Sequence, residues 1–279
     1  ADLPVPEDRV VGTATCKFLY WAFLNTNEEV SETFTMDAVD IYLFAVYDTG
    51  VNTRFELTDD GYYIPTSTDG KVTQTRFSDY TLNDGEIYSV DMTLPADWST
   101  YTDDCGPVFS ATAFDEKGTT FIGAPYVTMF ISAPTKANGA IEFWGDVDTP
   151  NGSVDAQLIA RYRLGGDLLK DTPYEKKMLA YQESDEEATF TLTYRRVERT
   201  VEGVTKISYY IGIDGIEYIC LTTGEVAVRY SEISNAANAF STKHTGNIVG
   251  LRAKTKGVKY SNITVKKASE LNVKFYAEN

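Results

Sequence analysis

Apolar and polar residues alternate along this chain in short runs, as expected when each strand of a sheet buries one of its faces. In one such run, residues 85–94, one face carries Tyr88, Val90, Met92 and Leu94, and the other carries Ile87, Ser89, Asp91 and Thr93. The runs that predict strands are 15–24, 39–47, 54–64, 71–77, 85–94, 107–114, 126–133, 139–147, 154–164, 188–197, 206–213, 217–221, 247–253 and 258–266. Many short strands separated by turns such as Asn138-Gly139 and Asp214-Gly215 predict an all-β antiparallel sandwich or barrel.

Helix-forming patterns are scarce. Residues 167–175 and 231–240 are each compatible with a short helix or a long loop, and neither has a clear apolar stripe. The segment 168–187 is polar and highly charged, so we expect a solvated loop there.

Composition narrows the classes of partner. The chain has 279 residues and carries 41 acidic against 25 basic residues, a formal net charge of −16. Such a surface repels nucleic-acid backbones and anionic lipid, which makes nucleic acid a poor partner. No apolar run reaches the roughly 18 residues that a membrane span needs, so we expect no membrane insertion.

Cysteine content leaves the redox state open. Cys16, Cys105 and Cys220 allow one disulfide with one free thiol, or no disulfide, and their spacing matches no zinc motif. The Pro- and acid-rich start Ala1-Asp2-Leu3-Pro4, the acidic charge and the 19 tyrosines favour a secreted or cell-surface bacterial protein, with this chain as part of a longer multidomain polypeptide.

The C-terminal half carries a characteristic order of strands. A strand that ends in Asp214-Gly215 precedes a closing pair, Gly246-Asn-Ile-Val-Gly-Leu-Arg-Ala253 and Val258-Lys-Tyr-Ser-Asn-Ile-Thr-Val265. This order resembles the concanavalin A-like (laminin G-like) jelly-roll family. The resemblance implies one sandwich over residues 56–268. Residues 1–55 would then be an N-terminal β extension or edge strands, and 269–279 a tail or the start of a following segment.

Relatives with this fold include lectin-like binding modules as well as glycosidases and polysaccharide lyases, so the fold does not choose between them. Sugars are bound by aromatic rings flanked by polar groups that satisfy pairs of hydroxyls. If the strands in question are neighbours, one concave sheet would present such a set: Trp144, Arg161, Gln157 and Tyr210. Trp98 and Tyr101, in a polar loop, are further candidates, whereas Trp144 could instead fill a second hydrophobic layer.

Two other chemistries are open at the sequence level. Glycoside hydrolysis needs two carboxylates across a cleft, and Glu142 and Asp146 share a strand face at period 2. The single histidine, His244, lies in a polar turn-like stretch, and we interpret it as a solvated loop residue rather than a catalytic one.

Oxygen ligands also cluster before a glycine turn, where the candidate calcium ligands are Asp146, Asp148, Asn151 and Asp155. Pro150 interrupts the EF-hand spacing, so an ordinary hairpin connection is the alternative. Together these patterns favour a non-catalytic carbohydrate-binding or adhesion module that binds a polysaccharide or glycan. An enzyme that acts on polysaccharide and a passive spacer domain are the alternatives.

Overall fold

The computed structural model describes residues 4–7, 9–11, 14–16, 18–23, 30, 43–47, 55–65, 73–97, 105–114, 121–122, 126–132, 139–227, 239–253 and 257–267. Most of these residues are in strands: β1 (Arg9–Val11), β2 (Ala14–Cys16), β3 (Phe18–Phe23), β4 (Leu43–Tyr47), β5 (Phe55–Leu57), β6 (Tyr63–Pro65), β7 (Thr73–Thr81), β8 (Glu86–Leu94), β9 (Gly106–Ala111), β10 (Ala113–Phe114), β11 (Phe121–Ile122), β12 (Val127–Ile131), β13 (Ile141–Thr149), β14 (Gly152–Tyr162), β15 (Ala188–Val201), β16 (Val204–Ile213), β17 (Ile216–Thr222), β18 (Ala239–Phe240), β19 (Ile248–Ala253) and β20 (Lys259–Lys267). One helix, α1, spans Pro173–Gln182 within the described residues.

Two large antiparallel sheets form the molecule. Sheet I has the order β14-β13-β12-β9-β19-β7, and β18 pairs with the end of β13. Sheet II has the order β17-β16-β15-β8-β20-β6-β5. The described N-terminal strands β1 to β4 pair only as two separate hairpins. The predicted all-β antiparallel sandwich is confirmed. The run 54–64, predicted as one strand, is instead the hairpin of β5 and β6.

Aromatic side chains fill the space between the sheets. The ring of Phe109 in β9 lies 4.8 Å from both Tyr194 in β15 and Tyr209 in β16, measured between centroids. The hydroxyls of Tyr88 and Tyr209 reach across to sheet I and its neighbouring segment, where they donate to the carbonyls of Gly250 and Gly246. Such ring pairs contribute about 0.5–1.5 kcal/mol each beyond the burial of their area.

Alternation identified the inward-facing residues of sheet II correctly. The apolar residues that alternate along one face of β8, β15 and β16 are all buried: Tyr88, Val90, Met92, Leu94, Phe190, Leu192, Tyr194, Ile207, Tyr209, Ile211 and Ile213. Each strand therefore contributes one apolar face to a common core, as the sandwich requires.

The solvated loop predicted over 168–187 is wrong, because it contains helix α1. Thr172 caps the helix by accepting a hydrogen bond from the amide of Glu175. The buried residues Tyr174, Met178 and Tyr181 follow at helical spacing. The hydroxyls of Tyr174 and Tyr181 donate to the carbonyl oxygens of Gly139 and Pro95, and these hydrogen bonds hold the helix against one end of the sandwich. Among the described residues, no helix has the length and apolar character needed to cross a bilayer.

Strands β15 and β16 extend beyond their neighbours. β15 pairs with β8 only as far as Arg195, and β16 pairs with β17 only from Ser208 onward. Residues 199–201 and 204–206 therefore form a two-stranded ribbon whose strands pair with each other. The ribbon ends at Glu202 and Gly203, whose φ angles of 52° and 81° are typical of a tight hairpin turn.

Candidate functional site

The outer face of sheet I, which points away from sheet II, gathers part of the predicted sugar site. Arg161 Nε donates to one carboxylate oxygen of Glu142 at 2.8 Å, and Trp144 Nε1 donates to the other at 2.8 Å. Glu142 is only 4% exposed. Trp144 and Arg161 are thus brought together, with the carboxylate between them.

This arrangement disfavours hydrolysis by Glu142. Both of its oxygens are already occupied by hydrogen bonds, one from Arg161 and one from Trp144. Asp146 is likewise only 4% exposed. A glycosidase needs one protonated and one ionised carboxyl group that both reach the sugar, and these two side chains are not presented in that way.

Gln157 and Tyr210 lie elsewhere. A β-bulge between Phe143 and Trp144 shifts the register, so Gln157 lies opposite Gly145, and its amide donates to the Asp155 carbonyl at 3.0 Å. Tyr210 belongs to β16 in sheet II. The expectation that all four predicted residues line one sheet is therefore wrong, because strand order places Tyr210 in the opposite layer. Trp98 and Tyr101 lie outside the described residues.

The predicted calcium ligands do not converge. Among the described residues, no group of three or more His, Cys, Asp or Glu side chains is placed to hold a metal, so Asp146, Asp148 and Asp155 form no such group, and Asn151 lies in the exposed turn beside them. Asp148 instead accepts hydrogen bonds from Ser241 Oγ and from the amide and hydroxyl of Thr242, at 2.7–2.9 Å. Burial is the largest single influence and would raise the pKa of Asp148, but these hydrogen bonds together lower it.

The interpretation of His244 as a solvated residue is also wrong. The ring is fully buried and stacks on Phe240 at 4.4 Å between centroids. Its Nε2 lies 3.0 Å from the carbonyl oxygen of Asp146, which only accepts, so Nε2 carries the hydrogen. Nδ1 therefore accepts from the hydroxyl of Ser110 at 3.1 Å. Burial lowers the pKa of His244 to about 4, so the ring is neutral at pH 7. Since Ser110 is also buried, this pair closes the other end of the core and is not open to a substrate.

The outer face of sheet II carries an ordered set of polar side chains, most of them half-buried, with Asn262 exposed. We call it the polar face and define it by Asp91, Thr191, Thr193, Arg195, Tyr210, Glu217 and Asn262. Arg195 forms a bidentate pair with Glu217, with both N–O distances at 2.8 Å. Its guanidinium carbon also lies 4.1 Å from the centroid of the Tyr210 ring. Hydrogen bonding to Glu217 is the main reason that the pKa of Arg195 is raised.

A second cluster lies on the same face. Asp91 accepts from Thr191 Oγ1 at 2.5 Å and from Asn262 Nδ2 at 2.7 Å. Asn262 reaches it because β20 bulges between Ser261 and Thr264, where Asn262 has a φ of 51°. Bulges of this kind redirect a side chain and are frequent near functional sites.

A glycine separates the two clusters. In the register of sheet II, Gly212 lies between Thr193 and Glu217, so β16 presents no side chain there. A Cβ atom at Gly212 would lie 2.5 Å from Thr193 Oγ1. The space above Gly212, which is buried, is therefore occupied by the Thr193 side chain.

Sequence reasoning found only Tyr210 of this face. The available signal was the alternation Thr189-Phe190-Thr191-Leu192-Thr193, which places threonines on the outer side of the most central part of the sheet. The partners Asp91 and Asn262 are 171 residues apart in sequence, and strand pairing alone brings them together. Among the described residues, Cys105 and Cys220 are not joined in a disulfide; the side chain of Cys16 lies outside the description.

Comparison of the chain with protein-family models, with curated proteins and with solved structures gave no match.

Proposed function

We propose that this chain is a non-catalytic carbohydrate-binding or adhesion module of concanavalin A-like type in a secreted or surface-located bacterial protein, and that the polar face binds the glycan. The observation that carries the proposal is the arrangement of side chains on the polar face. There the half-buried Tyr210 lies beside two clusters of hydrogen-bonded polar side chains.

Preorganisation supports this proposal. Thr191 donates a hydrogen bond to one carboxylate oxygen of Asp91, and Asn262 donates to the other. Each oxygen can still accept a second hydrogen bond from a sugar hydroxyl. Side chains that are already fixed avoid an ordering cost of about 0.5–1.5 kcal/mol each on binding. Pairs of fixed acceptors and donors match the paired hydroxyls of a sugar ring.

Tyr210 supplies the apolar part of the surface. Arg195 packs on its ring, and Glu217 in turn fixes Arg195, so the aromatic side chain is held in place by a charge pair. Aromatic side chains with a polar end suit a sugar, which has both C–H surfaces and hydroxyls.

The test is glycan-array binding by wild type and by Tyr210→Ala and Asp91→Asn. We expect hits whose affinity falls by at least about tenfold in both variants, since each removes a central contact. The matched control is Tyr62→Ala, a tyrosine in the turn between β5 and β6 that is contacted by Lys259 rather than by the polar face.

Trp144→Ala distinguishes the two sheets. If glycan hits are lost in Trp144→Ala and kept in Tyr210→Ala, the binding face is that of sheet I, and the polar-face assignment is wrong. An array without hits contradicts the binding function and leaves a spacer role.

A further inference from the structure

Arg252 lies on the outer face of sheet I, on the side of the sandwich opposite the polar face, and no described carboxylate pairs with it. Four partly or fully buried arginines have described side chains: Arg161, Arg195, Arg196 and Arg252. The first three each pair with a glutamate: Glu142, Glu217 and Glu198. Within the described part of the chain, the Arg252 guanidinium has no hydrogen bond or carboxylate partner, and its Nε is sealed from solvent.

The surroundings of Arg252 orient this cation. It lies opposite Gly106 of β9, and the missing side chain lets the guanidinium reach Phe130 in the next strand, with the guanidinium carbon 5.5 Å from the ring centroid. Phe130 is in turn paired with Glu142, and Glu142 with Arg161. One row across sheet I therefore holds two guanidinium groups and a single carboxylate, which Arg161 and Trp144 already occupy.

A second unsatisfied group lies close by. Thr128, two residues before Phe130 on the same face of β12, is fully buried, and no described residue hydrogen bonds to its hydroxyl. Buried polar groups in folded proteins are almost always paired, so two such groups on one face without a described partner are candidates for contact with a ligand.

We propose that the Arg252 region of sheet I binds a small carboxylate-bearing ligand. A guanidinium presents its donors as a planar fork that matches a carboxylate. The row carries one uncompensated positive charge, which a monovalent anion neutralises, whereas a dianion would leave excess negative charge on a chain whose net charge is already −16. This site is independent of the polar face on sheet II.

The experiment is a titration of the folded protein with sodium glucuronate, followed by the ¹H–¹⁵N resonances of the arginine Nε groups, at pH 7 and low salt. Glucose is the neutral control, and inorganic phosphate, which carries between one and two negative charges at pH 7, is the more highly charged anion. We expect saturable shifts of the Arg252 Nε signal with glucuronate, none with glucose, and weaker binding of phosphate. Arg252→Met keeps the apolar stem over Phe130 and should weaken glucuronate binding by at least about tenfold.

Arg199→Met is the matched charge control, because Arg199 is exposed on the β15–β16 ribbon. The Arg199→Met variant should bind glucuronate with the same affinity as wild type. Should Arg252→Met fail to fold, Arg252→Lys keeps the charge without the fork and should still bind more weakly. Tyr210→Ala should bind glucuronate with the same affinity as wild type. An absence of glycan binding at the polar face can therefore be distinguished from an absence of carboxylate binding at Arg252. The proposal is overturned by equal glucuronate affinity in wild type and Arg252→Met or Arg252→Lys, by the absence of saturable binding, or by tighter binding of phosphate.

Discussion

Both sheets place polar side chains on the face that points away from the other sheet, but the two faces differ in how their charges are matched. On sheet II, Arg195 is held by Glu217, and Asp91 is held by neutral donors. On sheet I, Glu142 and Thr128 are almost wholly buried, and Arg252 has no carboxylate partner among the described residues. A group next to water is solvated without a partner, whereas a buried polar group needs one. The Thr128 hydroxyl and the Arg252 Nε, which are buried and have no described hydrogen-bond partner, are therefore the informative groups.

The largest expected difference between the sheets comes from their glycines. A Cβ atom at Gly106 in sheet I would lie 1.8 Å from the backbone oxygen of Met129, and backbone cannot rotate away. At Gly212 in sheet II the nearest atom is the hydroxyl of Thr193, at 2.5 Å, which can rotate. We expect Gly106→Ala to lower the free energy of unfolding by about 4 kcal/mol or more and Gly212→Ala by about 1–2 kcal/mol.

Urea unfolding measures both values. The double variant Thr193→Ala/Gly212→Ala should recover part of the loss seen in Gly212→Ala. Equal costs for the two glycines would show that sheet I is no more tightly built than sheet II.

The pH dependence of the free energy of unfolding tests the burial of His244 in the core between the two sheets. The pKa of His244 falls from 6.5 to about 4 on folding, so stability is full above about pH 6.5. As the pH falls from 6.5 to 4, the unfolded chain binds a proton that the folded chain refuses. This group should therefore lower the free energy of unfolding by about 3 kcal/mol by pH 4.

The measurement is urea unfolding at half-unit intervals of pH, compared with His244→Gln, which does not titrate. Carboxylates contribute to both proteins, so the difference between the two curves isolates the histidine. Parallel curves from pH 6.5 to 4 would mean that the histidine is not held neutral by the fold.

Removal of a carboxylate should cost more on sheet I than on sheet II. Glu142→Gln leaves Arg161 without its partner in the same row as Arg252, and we expect a loss of about 2–3 kcal/mol. Glu217→Gln leaves Arg195 without its partner but still stacked on Tyr210, and we expect about 1–2 kcal/mol. Thermal and urea unfolding of both variants check the order, and a larger loss in Glu217→Gln would reverse the comparison.

The smallest predicted changes in the free energy of unfolding come from two threonine-to-valine substitutions and have opposite signs. Thr128→Val removes a buried hydroxyl that has no described partner and keeps the shape, so stability should rise by about 1 kcal/mol. Thr191→Val removes the donor to Asp91 and should lower stability by about 1 kcal/mol. Midpoints of urea unfolding resolve both changes, and a loss in Thr128→Val would show that its hydroxyl is satisfied after all.

The sequence predicted what depends on local alternation. In β8, β15 and β16 the period of two separates inner from outer residues, because each of these strands buries one side against the core. Strand order is non-local, so the pattern could not show that Tyr210 and Trp144 belong to different sheets.

One of the wrong predictions had a local signal that composition obscured, and the other had none. The capping sequence Thr172-Pro173-Tyr174-Glu175 marks the start of α1, but the charged residues around it suggested a loop. His244 lies in a polar stretch, and its burial depends on Ser110 and Asp146, which lie far away in the chain. The polar face itself depends on the bulge at Asn262, which no alternation pattern predicts.

The ribbon formed by residues 199–201 and 204–206 has a practical consequence. Its tip at Glu202-Gly203 projects along the strand direction rather than from either outer face, and its valines Val201 and Val204 are 50% and 60% exposed. Loop tips of this kind accept inserted sequences without disturbing the core. A biotin-acceptor peptide inserted there would tether the protein to a sensor chip while both outer surfaces stay accessible to analytes in the flow.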